Sequence, residues 1–133
     1  MSEREVKQVL VIRRDLRMRR GKEIAQGAHA SVAWLTERLA RLGSWPPELF
    51  LVHLTEPQRQ WVSGSFTKVT CQVSSQEELQ VLHDKARDLG IQAHLITDAG
   101  RTEFGGVPTV TALAIGPDWS DVVDQVTGSL ALY

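Results

Sequence analysis

The chain has 133 residues and 42% of them are hydrophobic, which is enough to bury one core without the help of a disulfide or a metal ion. Cys71 is the only cysteine and no Cys/His spacing is typical of zinc, so we expect a reducing compartment and no disulfide. Because no apolar run approaches the roughly 20 residues that cross a bilayer, and because the N-terminus lacks a signal-peptide core, the sequence predicts a cytoplasmic protein without membrane contact.

Positive charge is concentrated at the start of the chain, although the net charge is only −1. Residues 1–22 contain eight basic and three acidic side chains. Three of the arginines, Arg17, Arg19 and Arg20, are crowded between two predicted elements. Because such a local field attracts phosphates, we favour phosphate contact for this loop over the alternative, a charged segment that is only solvated.

A buried strand and a long helix are predicted for the first third of the chain. Residues 6–12 contain a β-branched run typical of a strand that is buried on both faces. Residues 22–42 have apolar side chains at helical spacing, and Gly43 follows as a terminator. We expect the apolar stripe of this helix to be its buried face: Ile24, Ala28, Val32, Leu35, Leu39 and Leu42.

Lys22, Gln26 and His29 fall on one line of this helix, roughly opposite the apolar stripe. Near the start of a helix, free backbone N–H groups and the positive end of the dipole favour an anionic ligand. A solvated helix face is the alternative interpretation. Small residues around this line indicate that the helix packs closely over more than one face: Ala25, Gly27, Ala28, Ala30 and Ala33.

Residues 43–65 have the least regular pattern. Residues 45–48, Trp-Pro-Pro-Glu, predict a helix entry with proline in its first turn. A short helix is predicted over 48–54 before Pro57 interrupts it, and a further helical turn over 58–62.

The rest of the chain predicts three more strands and two more helices. They are a strand at 67–73, a helix capped by Ser75 and ended by Gly90, strands at 91–97 and 109–115, and a helix from Asp118 or Ser120 to 126. We expect Gly116-Pro117 to end the fourth strand.

This order of elements, β-α-β-α-β-β-α, predicts a three-layer α/β/α fold with a mixed four-stranded sheet. Strand-helix-strand connections are right-handed crossovers, which makes the first three strands parallel, while the short third connection favours an antiparallel fourth strand. We expect a single domain over 1–133, with residues 1–5 disordered.

A polar cluster, Asp98-Ala99-Gly100-Arg101-Thr102, stops the third strand abruptly. Ligands of open α/β sheets sit outside the carboxyl ends of parallel strands. The predicted topology brings Lys22, Asp98, Thr102 and Thr111 to that end. Asp, Gly and Thr are also ordinary turn residues, so a hydrogen-bonded turn without a function is the alternative.

The residues of this cluster favour one kind of chemistry. They include no Cys or Ser with a paired base, no metal-ligand spacing and no phosphate-binding loop. A carboxylate beside a lysine can orient or deprotonate a water, while the lysine stabilises an oxyanion or binds a phosphate. Hydrolysis of an ester on a polyanionic substrate suits both groups.

Several motifs follow one another along the chain. They are Val9-Leu10-Val11-Ile12-Arg13-Arg14-Asp15-Leu16-Arg17-Met18, Gly21-Lys22 with Ala25-Gln26 and His29-Ala30, Asp98-Ala99-Gly100-Arg101-Thr102, Ile115-Gly116-Pro117, and Val126-Thr127-Gly128 with Leu130 and Leu132. In these motifs and their order the sequence resembles the archaeal and eukaryotic type of peptidyl-tRNA hydrolase, from about Lys7 to Tyr133.

The resemblance implies hydrolysis of the ester between a peptide and the 3′-terminal ribose of tRNA, without a metal or a cofactor, by a homodimer. It implies that Asp98 positions the attacking water and that Lys22 stabilises charge or holds a phosphate. The implied site residues are Lys22, Asp98, Thr102 and Thr111, with Gln26 and His29 as supporting residues and Arg17, Arg19, Arg20 and Arg101 as tRNA contacts.

Two departures from the family pattern accompany this resemblance. The chain is longer than the family's usual form between His29 and Trp61, so we interpret 43–65 as an insertion. The loop from Thr102 to Thr111 is also longer, which bears on the placing of Thr111. A non-catalytic RNA- or protein-binding module that retains the fold is the alternative function.

Overall fold

The computed structural model describes residues 4–43, 49–101 and 103–133. Its elements are β1 (Val6–Arg13), α1 (Arg20–Arg41), α2 (Glu56–Ser63), β2 (Lys68–Val73), α3 (Gln76–Asp88), β3 (Ala93–Asp98), β4 (Thr109–Trp119) and α4 (Ser120–Thr127). The order is therefore β-α-α-β-α-β-β-α, because the helical turn predicted over 58–62 is part of a longer helix, α2, which the predicted order of elements did not include. None of the helices in these residues is long and apolar enough to cross a membrane.

The four strands form one mixed sheet in the order β2-β1-β4-β3. β1 and β2 are parallel, and β4 runs antiparallel to both of its neighbours, β1 and β3. The first three strands therefore point the same way, and the predicted mixed sheet is confirmed. Because β4 lies between β1 and β3, the ends of those two strands flank the start of β4.

Alternate residues of β1 pack on opposite faces of the sheet, as the pleat of a strand requires. Val9 and Val11 belong to a hydrophobic cluster that includes Leu79 of α3. Leu10 belongs to a second cluster, which includes Ala30 of α1. Helices thus cover both faces, and the predicted three-layer architecture is confirmed.

The predicted buried face of α1 is wrong. Ile24 and Val32 are 67% and 49% exposed. The buried residues of this helix are instead small or polar, apart from one tryptophan: Gln26, Gly27, Ala30, Ser31, Ala33 and Trp34. Small side chains let the helix lie close to the sheet, and a Cβ on Gly27 would already be in van der Waals contact with Leu10 Cδ1, at 3.8 Å.

Polar groups on the buried face of α1 are satisfied by the sheet. Gln8 of β1 is fully buried; its Nε2 donates to the Ser31 carbonyl at 2.9 Å, and Ser31 Oγ donates to Gln8 Oε1 at 2.7 Å. Buried groups that pair in this way avoid the cost of an unmade hydrogen bond. A polar residue can therefore face the core here, which hydrophobic periodicity does not reveal.

The segment after α1 also differs from the prediction. Residues 45–48 lie outside the described residues, and 49–55 have no regular secondary structure, so no helix covers 49–54. Pro57 lies in the first turn of α2, where its missing N–H removes no helical hydrogen bond. Thr55 and Gln58 cap that turn reciprocally. Pro57 therefore helps to start a helix, contrary to the predicted interruption.

β4 continues past its predicted end at 115. Gly116 adopts a φ of 89°, and a Cβ at this position would lie 3.0 Å from the Lys7 carbonyl oxygen. Glycine alone combines this backbone conformation with such a close approach. The strand therefore passes through Gly116 and pairs Asp118 with Lys7 of β1.

Both ends of the described chain contact the sheet or its helices. Arg4 and Glu5, which we expected to be disordered, bind α4: the Arg4 guanidinium pairs with Asp121 at 2.9 Å, and the Glu5 carbonyl accepts from the Ser120 amide at 2.8 Å. At the other end, the Ala131 carbonyl accepts from the Gln72 amide of β2 at 3.1 Å. The tail thus adds a short antiparallel segment to the outer side of β2.

The revised face of α1 can be tested with two substitutions in that helix. We expect Trp34→Ala to lower the free energy of unfolding by about 3 to 5 kcal/mol, because Trp34 is 3% exposed and packs edge to face against Trp61. Val32→Ala should change it by no more than about 0.5 kcal/mol, because Val32 lies outside the core. Urea denaturation of both variants measures the difference, and a larger loss in Val32→Ala would restore the apolar stripe as the buried face.

Candidate active site

The polar residues of the site come from three elements that meet at one edge of the sheet. Asp98 is the last residue of β3, Thr111 lies near the start of β4, and Lys22 lies in the first turn of α1. Because β4 is antiparallel to β3, its start adjoins the end of β3. The predicted convergence of Lys22, Asp98 and Thr111 is therefore present.

A β-bulge directs Thr111 toward this site. The register pairs Ile96 with Ala112 and Thr97 with Val110, so Thr111 is the extra residue on β4. Bulges re-aim a side chain and are frequent beside active sites. The buried Thr111 hydroxyl donates to Gln26 Oε1 at 2.5 Å.

Asp98 is the centre of a hydrogen-bond network. Its Oδ1 accepts from Lys22 Nζ at 2.9 Å and from Gln26 Nε2 at 3.2 Å, and its Oδ2 accepts from the Gly100 amide at 2.8 Å. Gln26 also accepts from Thr111, so it joins the carboxylate to β4. The four side chains and one backbone amide form one connected set.

Gly100 is required by the backbone that holds Asp98. Its φ is 80°, and a Cβ there would lie 2.2 Å from the Val107 carbonyl oxygen. The Gly100 carbonyl accepts from the Gly106 amide at 2.8 Å, which closes the loop after β3. This loop also carries Phe104, whose ring centroid is 5.8 Å from Lys22 Nζ.

The ion pair between Lys22 and Asp98 is largely shielded from solvent. Both side chains are 15% exposed. The hydrogen bond from Lys22 is the main cause that lowers the pKa of Asp98 below its ordinary value of 3.8, and the Gly100 amide is the next. Asp98 is therefore ionised at neutral pH.

Gln26 has a more central place than the sequence suggested. We expected it only to support the site, yet it is 2% exposed and bonds to both Asp98 and Thr111. Its spacing of four residues from Lys22 was the available signal, since residues i and i+4 share a helix face. Thr102 lies outside the described residues. His29 is exposed and makes no hydrogen bond or ion pair with a residue that the structure describes.

Four arginines were predicted to contact tRNA. Arg17, Arg20 and Arg101 are exposed. Arg19 pairs with Glu103 at 2.7 Å, a partner that sequence reasoning missed because 84 residues separate the two. Any anion that binds Arg19 competes with this carboxylate.

Arg13 holds the start of the loop that carries the first predicted tRNA-contacting arginines, and the sequence did not predict this role. It pairs with Asp15 at 2.6 Å and donates to the Val110 carbonyl at 2.9 Å. The guanidinium of Arg13 lowers the pKa of Asp15. The end of β1 is therefore tied to the start of β4, next to the bulge at Thr111.

Metal ligands do not cluster in the part of the chain that the structure describes. No three His, Cys, Asp or Glu side chains there are close enough together to hold a metal ion. The site residues offer one carboxylate, one amine, one amide and one hydroxyl, which suit hydrogen bonding and charge stabilisation at a polar substrate.

Comparison with known proteins identifies the family of the chain. The model of the family described as peptidyl-tRNA hydrolase PTH2 matches residues 6–133. A probable peptidyl-tRNA hydrolase 2 of Dictyostelium discoideum is 40% identical over 97% of this chain, which spans 55% of that protein. A peptidyl-tRNA hydrolase of Haloquadratum walsbyi is 37% identical over 96% of this chain and 100% of its own length. A human mitochondrial peptidyl-tRNA hydrolase 2 is 37% identical over 97% of this chain and 65% of its own length. The chain belongs to the peptidyl-tRNA hydrolase PTH2 family.

Proposed function

We propose that this chain hydrolyses the ester bond between a peptide and the 3′-terminal ribose of tRNA, with Asp98 as the residue that orients the attacking water. Its family is one of peptidyl-tRNA hydrolases, which gives the class of reaction. The observation that carries the proposal is the hydrogen-bond network that holds Asp98 ionised beside Lys22.

The acceptor sites of Asp98 support a water-orienting role. An ionised carboxylate has about four acceptor sites. Among the residues that the structure describes, Lys22, Gln26 and Gly100 donate to three of them, and we assign the attacking water to the fourth. Because the lowered pKa makes Asp98 a weak base, it aligns the water, and it takes up the proton only as the ester is attacked.

Lys22 and Thr111 complete the proposed mechanism. Lys22 stabilises the negative charge that develops on the ester oxygen, since a cation in a shielded site acts strongly on such charge. Thr111 holds the Gln26 amide so that its Nε2 faces Asp98. Thr102 and His29 remain proposed site residues on the strength of the family resemblance.

Arg17, Arg19, Arg20 and Arg101 are proposed to contact the tRNA backbone. Contacts of this kind position a nucleic acid and do not read its sequence. Arg17, Arg20 and Arg101 have no ion-pair partner among the described residues, so their charges are available to phosphates.

Further proposals concern the state and location of the protein. We propose a homodimer from the family resemblance, and one domain in which 43–65 is an insertion. We propose the cytoplasm as its compartment because Cys71 is the only cysteine of the chain and cannot form an internal disulfide, which fits a reducing environment. One relative is named as mitochondrial, so family membership leaves the compartment open.

The reaction is tested with an N-blocked aminoacyl-tRNA. We expect wild type to release free tRNA, and Asp98→Ala to do so about 10²- to 10⁴-fold more slowly because the water is no longer aligned. Asp121→Ala is the matched control, since Asp121 also forms an ion pair, with Arg4, but lies on the surface at α4. A folded wild type that binds tRNA without turnover, and as tightly as Asp98→Ala, would favour the non-catalytic binding module.

The state of Asp98 is tested by stability as a function of pH. Because the folded-state pKa of Asp98 is below 3.8, its ionisation stabilises the fold above that pH, and this contribution is lost as the pH falls through the lowered value. Urea denaturation of wild type and Asp98→Asn across this acidic range should show a smaller loss in the variant. Parallel curves would mean that Asp98 is not held ionised by Lys22.

The arginine contacts are tested by the salt dependence of tRNA binding. Each phosphate contact steepens the decrease of log affinity with log salt concentration by a little less than about one. We expect Arg17→Ala and Arg101→Ala each to reduce that slope by about one. Arg59→Ala serves as control, because Arg59 pairs with Glu56 on α2. Equal slopes in all three variants would mean that Arg17 and Arg101 do not contact the tRNA backbone.

A further inference from the structure

A second basic cluster lies at the opposite end of β3 from Asp98. It surrounds a polar pocket of about 200 Å³. Arg38 and Arg41 of the last turn of α1 and Arg87 of the last turn of α3 line this pocket, with His94 of β3 at its wall. Cations favour the C-terminal ends of helices because of the dipole, but the dipole does not explain why two helices direct their arginines to one cavity.

The charges of this pocket do not cancel. Among the described residues that line it, three guanidiniums face one carboxylate, that of Glu37, and Glu37 Oε2 is engaged at 2.7 Å with Nδ1 of the buried His94. Arg41 and Arg87 make no ion pair with any residue that the structure describes. Both lie close enough to His94 for their charges to lower its pKa, although burial is the larger cause.

Arg38 gives the pocket one fixed donor group. Its guanidinium donates to the His53 carbonyl and, at 3.5 Å, to Gln58 Oε1. Gln58 is 2% exposed and is held in turn by the Thr55 amide at 2.9 Å. A fixed guanidinium beside two others that can adjust is the arrangement that binds an oxyanion from several sides.

The volume of the pocket indicates which class of ligand it can hold. Sites for drug-sized molecules occupy about 300 to 1,000 Å³, so a pocket of about 200 Å³ suits one small group. Guanidinium groups match the geometry of phosphate oxygens. A single phosphate group therefore fits both the volume and the charge.

We propose that this pocket binds a backbone phosphate of the same tRNA whose ester lies at Asp98. This inference rests on the proposed function. His94 and Asp98 are four residues apart on one strand, which is about 13 Å. The helix α1 carries Lys22 near one end and Arg41 at the other, roughly 28 Å apart at the rise of an α-helix. One elongated polyanion can therefore extend along the domain from the site at Asp98 to this pocket.

The test compares the double variant Arg41→Ala/Arg87→Ala with Lys85→Ala. Lys85 lies in the same last turn of α3 as Arg87 but does not line the pocket, so it controls for helix-dipole effects. We expect the double variant to bind deacylated tRNA about tenfold more weakly at low salt, with the salt slope reduced by about two. KM for N-blocked aminoacyl-tRNA should rise in parallel while kcat is unchanged. Lys85→Ala should match wild type.

Two further outcomes decide the inference. If the double variant binds tRNA as tightly as wild type and is folded by circular dichroism, the inference is overturned. If inorganic phosphate raises the Tm of wild type but not of the double variant, while tRNA affinity is equal in both, the pocket serves free phosphate and the tRNA assignment is overturned. Arg41→Lys/Arg87→Lys should recover only part of the tRNA affinity, because the charge is kept while the guanidinium geometry is lost.

Failure of this inference is distinguishable from failure of the proposed reaction. Binding of deacylated tRNA does not require the ester to be cleaved. A wild type without hydrolysis, together with weakened tRNA binding by the double variant, would reject the reaction and retain the pocket. Hydrolysis by wild type, together with unchanged tRNA binding by the double variant, would do the reverse.

Discussion

The ion pair between Lys22 and Asp98 is the interaction on which the site depends. It joins the first turn of α1 to the last residue of β3, and both partners are mostly shielded from water. A shielded charge that loses its partner is costly, so each residue holds the other in place. Gln26 and the Gly100 amide also donate hydrogen bonds to the same carboxylate.

This interaction constrains the fold as well as the site. Gln26 can reach both Asp98 and Thr111 only because α1 lies close to the sheet. Gly27 and Ala30 permit that approach, since larger side chains would separate the helix from β1 and β4. The small residues of α1 are therefore part of the active-site geometry, although none of them touches the carboxylate.

Much of the fold followed from the sequence, and the errors share a physical cause. Apolar runs, capping residues and glycines located the strands and helices, since these are local properties. The face of α1 was wrong because periodicity assumes that the core side is the most apolar one. Ser31 is buried on that side because Gln8 satisfies it, and this partner comes from another part of the chain. Pro57 was misread because an N-terminal proline and an interrupting proline look alike until the neighbouring cap is known.

The sequence predicted which residues form the site better than it predicted how their side chains are arranged. The order of elements predicted that Lys22, Asp98 and Thr111 lie at one end of the sheet, and the family resemblance pointed to the same residues. The bulge that directs Thr111 toward Gln26 has no periodic signature, and neither has the pairing of Arg19 with Glu103. Both arise from the register between distant segments, which a single sequence does not encode in any short pattern.

The two outer strands of the sheet have a consequence for self-association. An exposed strand edge presents unpaired amides and carbonyls to other chains and invites edge-to-edge aggregation. The edge of β2 is occupied by the tail, through the Gln72 amide and the Ala131 carbonyl. The other edge strand, β3, pairs with β4 at the bulge that Thr111 forms. A bulge adds twist to the strands, and a twisted edge is less suited to pairing with a strand of another molecule. The same irregularity that aims a hydroxyl into the site thus discourages the sheet from growing between molecules.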